Sequence, residues 1–213
     1  MDDPRPYNGT KMAATPANAE LTRARILTAG LELFAARGFK GTTTRALASA
    51  AGCNIATLAW HFQDKRGAYE AVLDSMYEEL LAWSPPEALP ADPAGRVRAL
   101  VLEIWTVMRA RRDHVRLLQR HVLEEGRLPE RVRERWTPVG LARAMELVAA
   151  LDLPSPPEPL LLLDLNHLIS RYVLSEAQDL RPFTGPGDPH AVVVAHLQDL
   201  CVALLLPGPA RPS

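Results

Sequence analysis

The sequence has 213 residues but lacks any long hydrophobic run, and it contains only two cysteines. Its aliphatic runs, such as those around 160–163 and 191–195, are far shorter than the roughly 18 residues that suggest a membrane span. The first residues show neither the basic stretch nor the apolar core of a signal peptide. Cys53 and Cys201 lie far apart and have no metal-type spacing, which fits a reducing compartment. We therefore expect a cytoplasmic protein with no membrane partner.

The sequence also lacks the local motifs by which several classes of enzyme are identified. It contains no glycine-rich phosphate loop, no nucleophile elbow and no cluster of ligands with metal-type spacing. His114 and His121 are seven residues apart, but nothing in the sequence brings the other histidines towards them, so we interpret these residues as packed or solvated side chains. We accordingly predict no catalytic residues, no cofactor and no metal.

The net charge is small, but charge is unevenly distributed along the chain. The net charge is −1, which by itself argues against binding to a nucleic acid. Residues 1–66 nevertheless carry nine Lys or Arg against five Asp or Glu, a net charge of +4, which leaves −5 on the remainder. A small basic region on an acidic protein indicates that only this region meets a polyanion.

Apolar residues recur along the chain with the spacing of helices, and no stretch alternates with the period of two that is typical of strands. We predict an all-α fold of about nine helices, with many of the 19 prolines lying between them. The predicted helices run from 21 to 38 and over 44–51, 55–62, 65–83, 97–108, 115–123, 139–151, 160–177 and 191–206. Residues 1–18 have no apolar period and are predicted to be a flexible arm.

The second and third predicted helices have the spacing of a helix-turn-helix, in which the second helix lies in the major groove of DNA. Gly52 permits a tight turn between them, and the small side chains of Ala48 and Ala51 allow the helices to approach. Hydroxyl and amide side chains precede both helices and are predicted N-caps. The predicted core consists of Leu47, Leu58 and Phe62 together with Ile26, Leu33 and Phe34.

Residues 22–83 resemble the DNA-binding domain of TetR-family transcriptional regulators. The resemblance rests on Ile26-Leu27, Leu33-Phe34, Gly38-Phe39, Thr42-Thr43-Thr44-Arg45, Leu47-Ala48, Ala51-Gly52, Thr57-Leu58-Ala59-Trp60-His61-Phe62 and Asp64-Lys65-Arg66. It implies three regions: the arm at 1–18, a helix-turn-helix DNA-binding domain at 19–83, and a helical ligand-binding and dimerisation domain at 84–213. The second part resembles the family only in being helical, of suitable length and terminated by two apolar helices.

The resemblance also implies roles for individual residues. Thr43 and Thr44 would contact a phosphate at a helix N-terminus, and Arg45 would reach the DNA backbone or a guanine edge. The exposed face of the recognition helix would be formed by Asn54, Ile55, Ala56, Thr57 and Ala59, with phosphate contacts from Trp60, His61 and Lys65. Alternative interpretations are that Trp60 is partly packed and that Lys65 is a solvated lysine at a helix start.

Ala59 departs from the family pattern, which usually has tyrosine there. Together with Ile55 and Ala56 it makes the predicted DNA-facing surface apolar, suited to thymine methyl groups and poor in hydrogen-bond donors. We expect sequence preference to depend on Arg45, Thr57, methyl contacts and DNA shape. Cys53, where the family usually has valine, is interpreted as a small buried side chain rather than a redox sensor.

In residues 84–213, one set of residues is a candidate effector site and another is a candidate dimer interface. A cavity for a hydrophobic or aromatic effector is predicted to be lined by Trp105, Met108, Leu117, His121, Trp136 and Met145, although plain core packing is an equal alternative. The dimer interface is predicted to bury Leu161, Leu165, Leu168, Val194, Leu197 and Leu204 in a four-helix bundle of two copies.

The resulting hypothesis is a homodimeric repressor that binds double-stranded DNA at a palindromic operator and is released by an unidentified small effector. An activator, or a regulator that needs no ligand, would have the same DNA-binding region. An all-helical enzyme or a structural module for binding a partner is a more remote alternative, because neither explains the basic region and its motifs.

Overall fold

The computed structural model describes residues 16–84, 88–127 and 129–206, and all regular structure within them is helical. The ten α-helices are α1 Pro16–Gly41, α2 Thr44–Ala50, α3 Ile55–Phe62, α4 Lys65–Ala82, α5 Pro93–Ala110, α6 Arg112–Glu125, α7 Thr137–Ala149, α8 Pro159–Leu174, α9 Ala177–Thr184 and α10 Pro189–Leu205. The predicted all-α class is confirmed. The predicted arm lies mostly outside the described residues, but Pro16, Ala17 and Asn18 belong to α1 rather than to a flexible segment.

α1 breaks at Gly38, where the sequence predicts its end. Gly38 has φ 71° and ψ 174°, and a side chain there would both strain the backbone and meet the carboxylate of Glu124. Thr42 stabilises this break, because its fully buried hydroxyl lies 2.9 Å from the carbonyl oxygen of Gly38 and 3.2 Å from that of Leu33. The chain therefore turns sharply from α1 into α2.

The first four helices enclose a core that largely matches the sequence prediction. Ile26, Phe34, Leu47 and Leu58 are fully buried, Phe62 is nearly so, and the predicted core residue Leu33 is half-buried at the edge. α4 adds Ala68, Tyr69, Val72, Leu73 and Met76 to the same core. We call α1–α4 the head, and α5 to α10 the body.

The head does not close its core alone, because α6 of the body packs against α1. Leu117 of α6 is buried in the same apolar cluster as Phe34. Arg120 donates hydrogen bonds to the carbonyl oxygens of Ala35 and Ala36, at 3.2 and 3.1 Å. The domain boundary at residue 84 remains a prediction, but packing between α1 and α6 crosses it.

A partly buried aromatic pair adds to this contact between head and body. The hydroxyl oxygen of Tyr69 on α4 lies 2.8 Å from Nδ1 of His121 on α6. Burial, with smaller contributions from Glu124 and Glu125, raises the pKa of Tyr69, and burial lowers the pKa of His121. Both side chains therefore stay neutral at pH 7, and their hydrogen bond does not require a buried charge.

A π-helical segment, Val132–Trp136, precedes α7 and was not predicted from the sequence. Pro138 has no N–H for the α-helical bond to Glu134, and Thr137 instead donates to the carbonyl oxygen of Val132. This wider turn directs Arg131 and Trp136 towards Asp74 of α4.

Asp74 receives donors from both of these side chains. The Nε of Arg131 lies 2.8 Å from Oδ2, and the indole Nε1 of Trp136 lies 2.9 Å from Oδ1. Burial alone would raise the pKa of Asp74, but these hydrogen bonds and the nearby positive charges together lower it. The indole of Trp136 also stacks on Tyr77 at 5.5 Å, so α4 is bound to the start of α7 by two adjacent contacts.

The body has a second core, formed mainly by α5, α8 and α10. Its fully buried members include Val173 and Leu197. Arg109 and Arg112 of α5 and α6 donate to the carbonyl oxygens of Val173 and Leu174, which terminate α8. The short helix α9 separates α8 from α10, although the sequence predicted only two helices in this region. No helix in 16–84, 88–127 or 129–206 is long and apolar enough to span a membrane.

Replacing Leu117 with Ala tests whether α6 completes the core of the head. The substitution leaves a cavity among side chains of α1 and α4, so we expect the free energy of unfolding to fall by about 2–5 kcal/mol. Urea titration followed by circular dichroism measures it. Leu123→Ala is the matched control on the same helix, since Leu123 is 84% exposed, and should change stability by less than about 0.5 kcal/mol. Equal stability of the two variants would contradict the shared core.

Candidate nucleic-acid interface

The turn between α2 and α3 has the compact geometry that the sequence predicts. Gly52 lies in the left-handed region at φ 63°, a conformation that glycine adopts without steric cost. Its N–H donates to Ser49 at 3.1 Å, and the N–H of Cys53 donates to Ala48 at 2.9 Å. Ala48 and Ala51 are buried between the helices. These contacts fix the direction in which α3 leaves the turn.

Each of the two helices begins with a side-chain cap. Oγ1 of Thr43 accepts a hydrogen bond from the N–H of Ala46 at 3.1 Å, and Oδ1 of Asn54 accepts one from the N–H of Thr57 at 2.7 Å. The hydroxyl of Thr57 donates to the same Oδ1 at 3.0 Å. Thr44 begins α2 and is half-buried. Both caps are of the kind that the sequence predicts.

α3 presents one exposed face on the side opposite Leu58 and Phe62. The exposed residues of the predicted DNA-binding set are Thr43, Arg45, Asn54, Ile55, Ala56, Ala59 and Trp60. Thr57 and His61 are half-buried. Trp60 is 73% exposed, so its indole is not packed into the core, and the alternative of a partly packed Trp60 is wrong. The ring of His61 lies edge-on to Trp60, with centroids 4.6 Å apart.

Lys65 points into the head rather than away from it. Its ammonium group donates to the carbonyl oxygens of Phe39 and Thr42, at 2.8 and 2.9 Å, and lies 4.2 Å from the ring centroid of Phe39. Two of its three donors are thus used within the chain. The predicted phosphate contact is therefore reduced to at most one N–H, and the main role of Lys65 is to bind α4 to the end of α1.

Arg25 is a candidate for a DNA contact that could not be identified from the sequence. A methyl carbon added to Gly52 would lie 3.8 Å from Nη1 of Arg25, which places this guanidinium beside the turn. Burial raises the pKa of the Cys53 thiol, and the positive charge of Arg25 opposes that rise. A protonated, half-buried thiol agrees with the interpretation of Cys53 as a packed side chain. Nothing local in the sequence indicates that α1 brings Arg25 to the turn.

The six residues predicted to line an effector cavity do not meet in one place. Trp105 and Met108 pack in the core of the body, Leu117 and His121 lie at the contact between head and body, Trp136 stacks on Tyr77, and Met145 is half-buried on α7. Leu117 and His121 border a charged crevice of about 790 Å³, whose walls carry both Arg and Glu side chains. The predicted lining is wrong as a set, because the helices carrying these residues contribute to two different cores.

A different, apolar cavity of about 170 Å³ lies inside the body, between α5, α7, α8 and α10. Its lining includes Val101, Ile104, Leu147, Ile169 and Cys201. Burial raises the pKa of the Cys201 thiol to about 11, so this group is neutral at pH 7. None of the six predicted residues borders this cavity.

The predicted dimer residues divide between the interior and the surface. Leu165 and Leu197 are 8% and 0% exposed and belong to the core of the body, so their predicted place at an interface is wrong. Leu161, Leu168 and Val194 are half-buried against the same core. Leu204 is 43% exposed. The outer sides of α8 and α10 instead expose Leu160, Leu163, Val192 and Leu204, together with Ala195 and Ala203.

The histidines and acidic residues of the described ranges have separate surroundings. Within 16–84, 88–127 and 129–206, no group of three or more His, Cys, Asp or Glu side chains converges as metal ligands would. Nε2 of His114 lies 3.6 Å from Glu79, whereas His121 bonds to Tyr69. The two histidines therefore have separate partners.

Replacing Lys65 with Met tests its structural role. The variant keeps the length of the side chain but leaves two carbonyl oxygens without their donor, so the free energy of unfolding should fall by about 1.5–3 kcal/mol. Thermal and urea unfolding measure this loss. Arg45→Met, at an exposed position, is the control and should stay within about 0.5 kcal/mol of the unsubstituted protein. A Lys65→Met variant of undiminished stability would show that the ammonium group does not bind α4 to α1.

Comparison with known proteins agrees with this geometry. Residues 26–72 match the family model described as "Bacterial regulatory proteins, tetR family". The chain is 32% identical over 114 residues to the HTH-type transcriptional regulator TtgR of Pseudomonas putida, a match covering 52% of this chain and 54% of the relative. It is 41% identical over 73 residues to the Tetracycline repressor protein class D of Escherichia coli, covering 34% and 32%. The match thus spans about half the length of TtgR and about a third of the tetracycline repressor.

Solved structures extend the likeness in fold to the body. A tetR-family transcriptional regulator from Streptomyces coelicolor has a TM-score of 0.63 at 20% identity, covering 87% of this chain and 80% of that one. HlyIIR, a hemolysin II transcriptional regulator, has a TM-score of 0.55 at 17% identity over 88% of this chain. These named relatives are transcriptional regulators or repressors, in agreement with the prediction that the chain is not an enzyme. Residues 26–72 therefore carry the DNA-binding domain of the tetR family of bacterial regulatory proteins, and the described chain has the fold of tetR-family regulators.

Proposed function

We propose that the protein is a homodimeric transcriptional repressor that binds double-stranded DNA at a palindromic operator and is released by a small apolar effector. The observation that carries the proposal is the exposed face of α3, held by a capped, two-helix turn within the stretch that matches the family model. This arrangement has the helix-turn-helix geometry that places a helix in the major groove.

The N-termini of α2 and α3 supply the polar contacts of the proposed interface. Unpaired N–H groups at a helix N-terminus favour a phosphate oxygen, and Thr43 and Thr44 lie at the start of α2. Arg45 is exposed in the first turn of α2 and supplies a charged donor for a phosphate or a guanine edge. Trp60 and His61 extend the surface at the C-terminal end of α3, beside the groove.

Charge distribution favours the same orientation. Residues 1–66 carry a net charge of +4 and the remainder carries −5. Polyanionic DNA therefore attracts residues 1–66, which contain α1 to α3, more strongly than it attracts the rest of the chain.

The outer sides of α8 and α10 are the proposed dimer surface. They expose Leu160 and Leu163 on one helix and Val192 and Leu204 on the other, with exposed fractions between 42% and 67%. Packing two copies of this helix pair against each other forms a four-helix bundle that removes these side chains from water. In such a dimer the two α3 helices would contact half-sites about 34–36 Å apart.

The apolar cavity of the body is the proposed effector site. Its volume of about 170 Å³ and its aliphatic lining suit a small hydrophobic molecule. Leu147 and Val148 of its wall belong to α7, and the π-helical segment at the start of α7 bonds to Asp74 of α4. A ligand that favours one position of α7 would thereby favour one position of α4 and of the head.

DNA binding is tested with the purified protein and duplexes covering the region upstream of its own gene, titrated across a salt series. We expect saturable binding that exceeds binding to random DNA, with log affinity falling linearly as log salt rises. Arg45→Met should weaken binding by about 1–3 kcal/mol and reduce the salt slope by about one. Lys65→Met, whose charge is used inside the chain, should change the slope by less. Absence of specific binding, both before and after refolding to remove any resident ligand, would refute the function.

The dimer surface is tested by placing a charge on it. Leu163→Glu combined with Leu204→Glu should convert the dimer to a monomer in sedimentation velocity, because two carboxylates would be desolvated in each copy. Leu123→Glu introduces one carboxylate at an exposed site on α6 and serves as the control. Dissociation by the control, or a dimer that survives the double substitution, would place the interface elsewhere.

A further inference from the structure

The face of α3 that the proposed function turns towards DNA consists mainly of carbon atoms. α3 contains no Asp, Glu, Lys or Arg between Ile55 and Phe62. Ile55 is 47% exposed, and Ala56 and Ala59 are also exposed beside it. In a major groove, the group on a base edge that suits such a surface is the 5-methyl group of thymine.

The two polar side chains in the first turn of α3 already bond to each other. Since the N–H of Thr57 donates to Oδ1 of Asn54, that atom is an acceptor, and the Thr57 hydroxyl 3.0 Å away donates to it as well. The hydroxyl proton of Thr57 is thereby used, and this oxygen can only accept a further hydrogen bond. Asn54 retains its NH2 group as a donor. A bidentate donor for the O6 and N7 acceptors of guanine, such as Arg, is missing from this helix.

The cations nearest to α3 do not replace that donor. Lys65 directs its ammonium group to the carbonyl oxygens of Phe39 and Thr42. Arg23 lies 5.6 Å from the ring centroid of Phe62, on the buried side of α3. Arg45 is exposed but belongs to α2. Hydrogen bonding to guanine is therefore left to Arg45 of α2 and to Arg25 of α1, which lies beside the turn.

We propose that α3 distinguishes the operator through thymine 5-methyl groups, which pack on Ile55, Ala56 and Ala59, so that the base pairs beneath this helix are A·T. The inference rests on the proposed DNA-binding function. The acceptor-only hydroxyl of Thr57 is compatible with these pairs, because adenine offers an amino group in the major groove, but cytosine offers one too, so the preference for A·T rests on the methyl groups.

The test begins with sites selected by the protein from a library of random duplexes. Each thymine of the selected half-site is then replaced by deoxyuridine, which removes only the methyl group. Loss of one buried methyl should weaken binding about fourfold. Deoxyuridine in the flanking sequence is the control and should leave the affinity unchanged.

A variant identifies the protein side of the contact. Ile55→Ala removes exposed carbon from α3. At one position of the half-site, this variant should therefore bind the deoxyuridine duplex almost as tightly as the thymine duplex. Leu123→Ala, at an exposed site far along the chain on α6, should retain the full penalty at every position.

The outcomes separate this inference from the function on which it rests. Specific binding that is undiminished when every thymine of the half-site is replaced would overturn methyl recognition and leave DNA binding intact. Selected half-sites dominated by G·C pairs beneath α3 would overturn it as well. Selection that enriches no sequence at all would overturn both.

Discussion

The packing of α6 against α1 is the contact on which the rest of the structure depends. Leu117 completes the core of the head, Arg120 binds carbonyl oxygens of α1, and His121 bonds to Tyr69 of α4. Because α1 and α4 enclose α2 and α3, the orientation of the exposed α3 face follows from the position of α6. The head alone would leave Phe34 and its neighbours partly uncovered, which is costly for a unit of this size.

α4 is the second connection between head and body, and its two main contacts have different chemistry. At its N-terminus, Lys65 binds main-chain carbonyls, so the end of α1 and the start of α4 stay together. In its middle, Asp74 binds the π-helical segment before α7. A change in the cavity wall at α7 therefore reaches the head through a short series of packed and hydrogen-bonded groups rather than through a flexible linker.

Local features of this protein were predictable from sequence, and long-range ones were not. The turn at Gly52 and the cap at Asn54 depend on residues within four positions of each other, so the local sequence alone specifies them. The inward direction of Lys65 depends on where the carbonyls of Phe39 and Thr42 lie after folding. Leu165 and Leu197 were misplaced because α8 and α10 are apolar on most sides, and periodicity cannot tell which side faces the core. The cavity lining was wrong because a cavity is a packing defect between helices, which sequence patterns do not encode.

Hydroxyl-radical footprinting on the DNA upstream of the gene tests the central claim most directly, that the exposed α3 faces of two copies bind successive major grooves. We expect two protected patches on one side of the duplex, centred about one helical turn apart. Both patches should disappear together when the dimer is dissociated. A single patch, patches on opposite sides of the duplex, or protection that persists in the monomer would contradict the account.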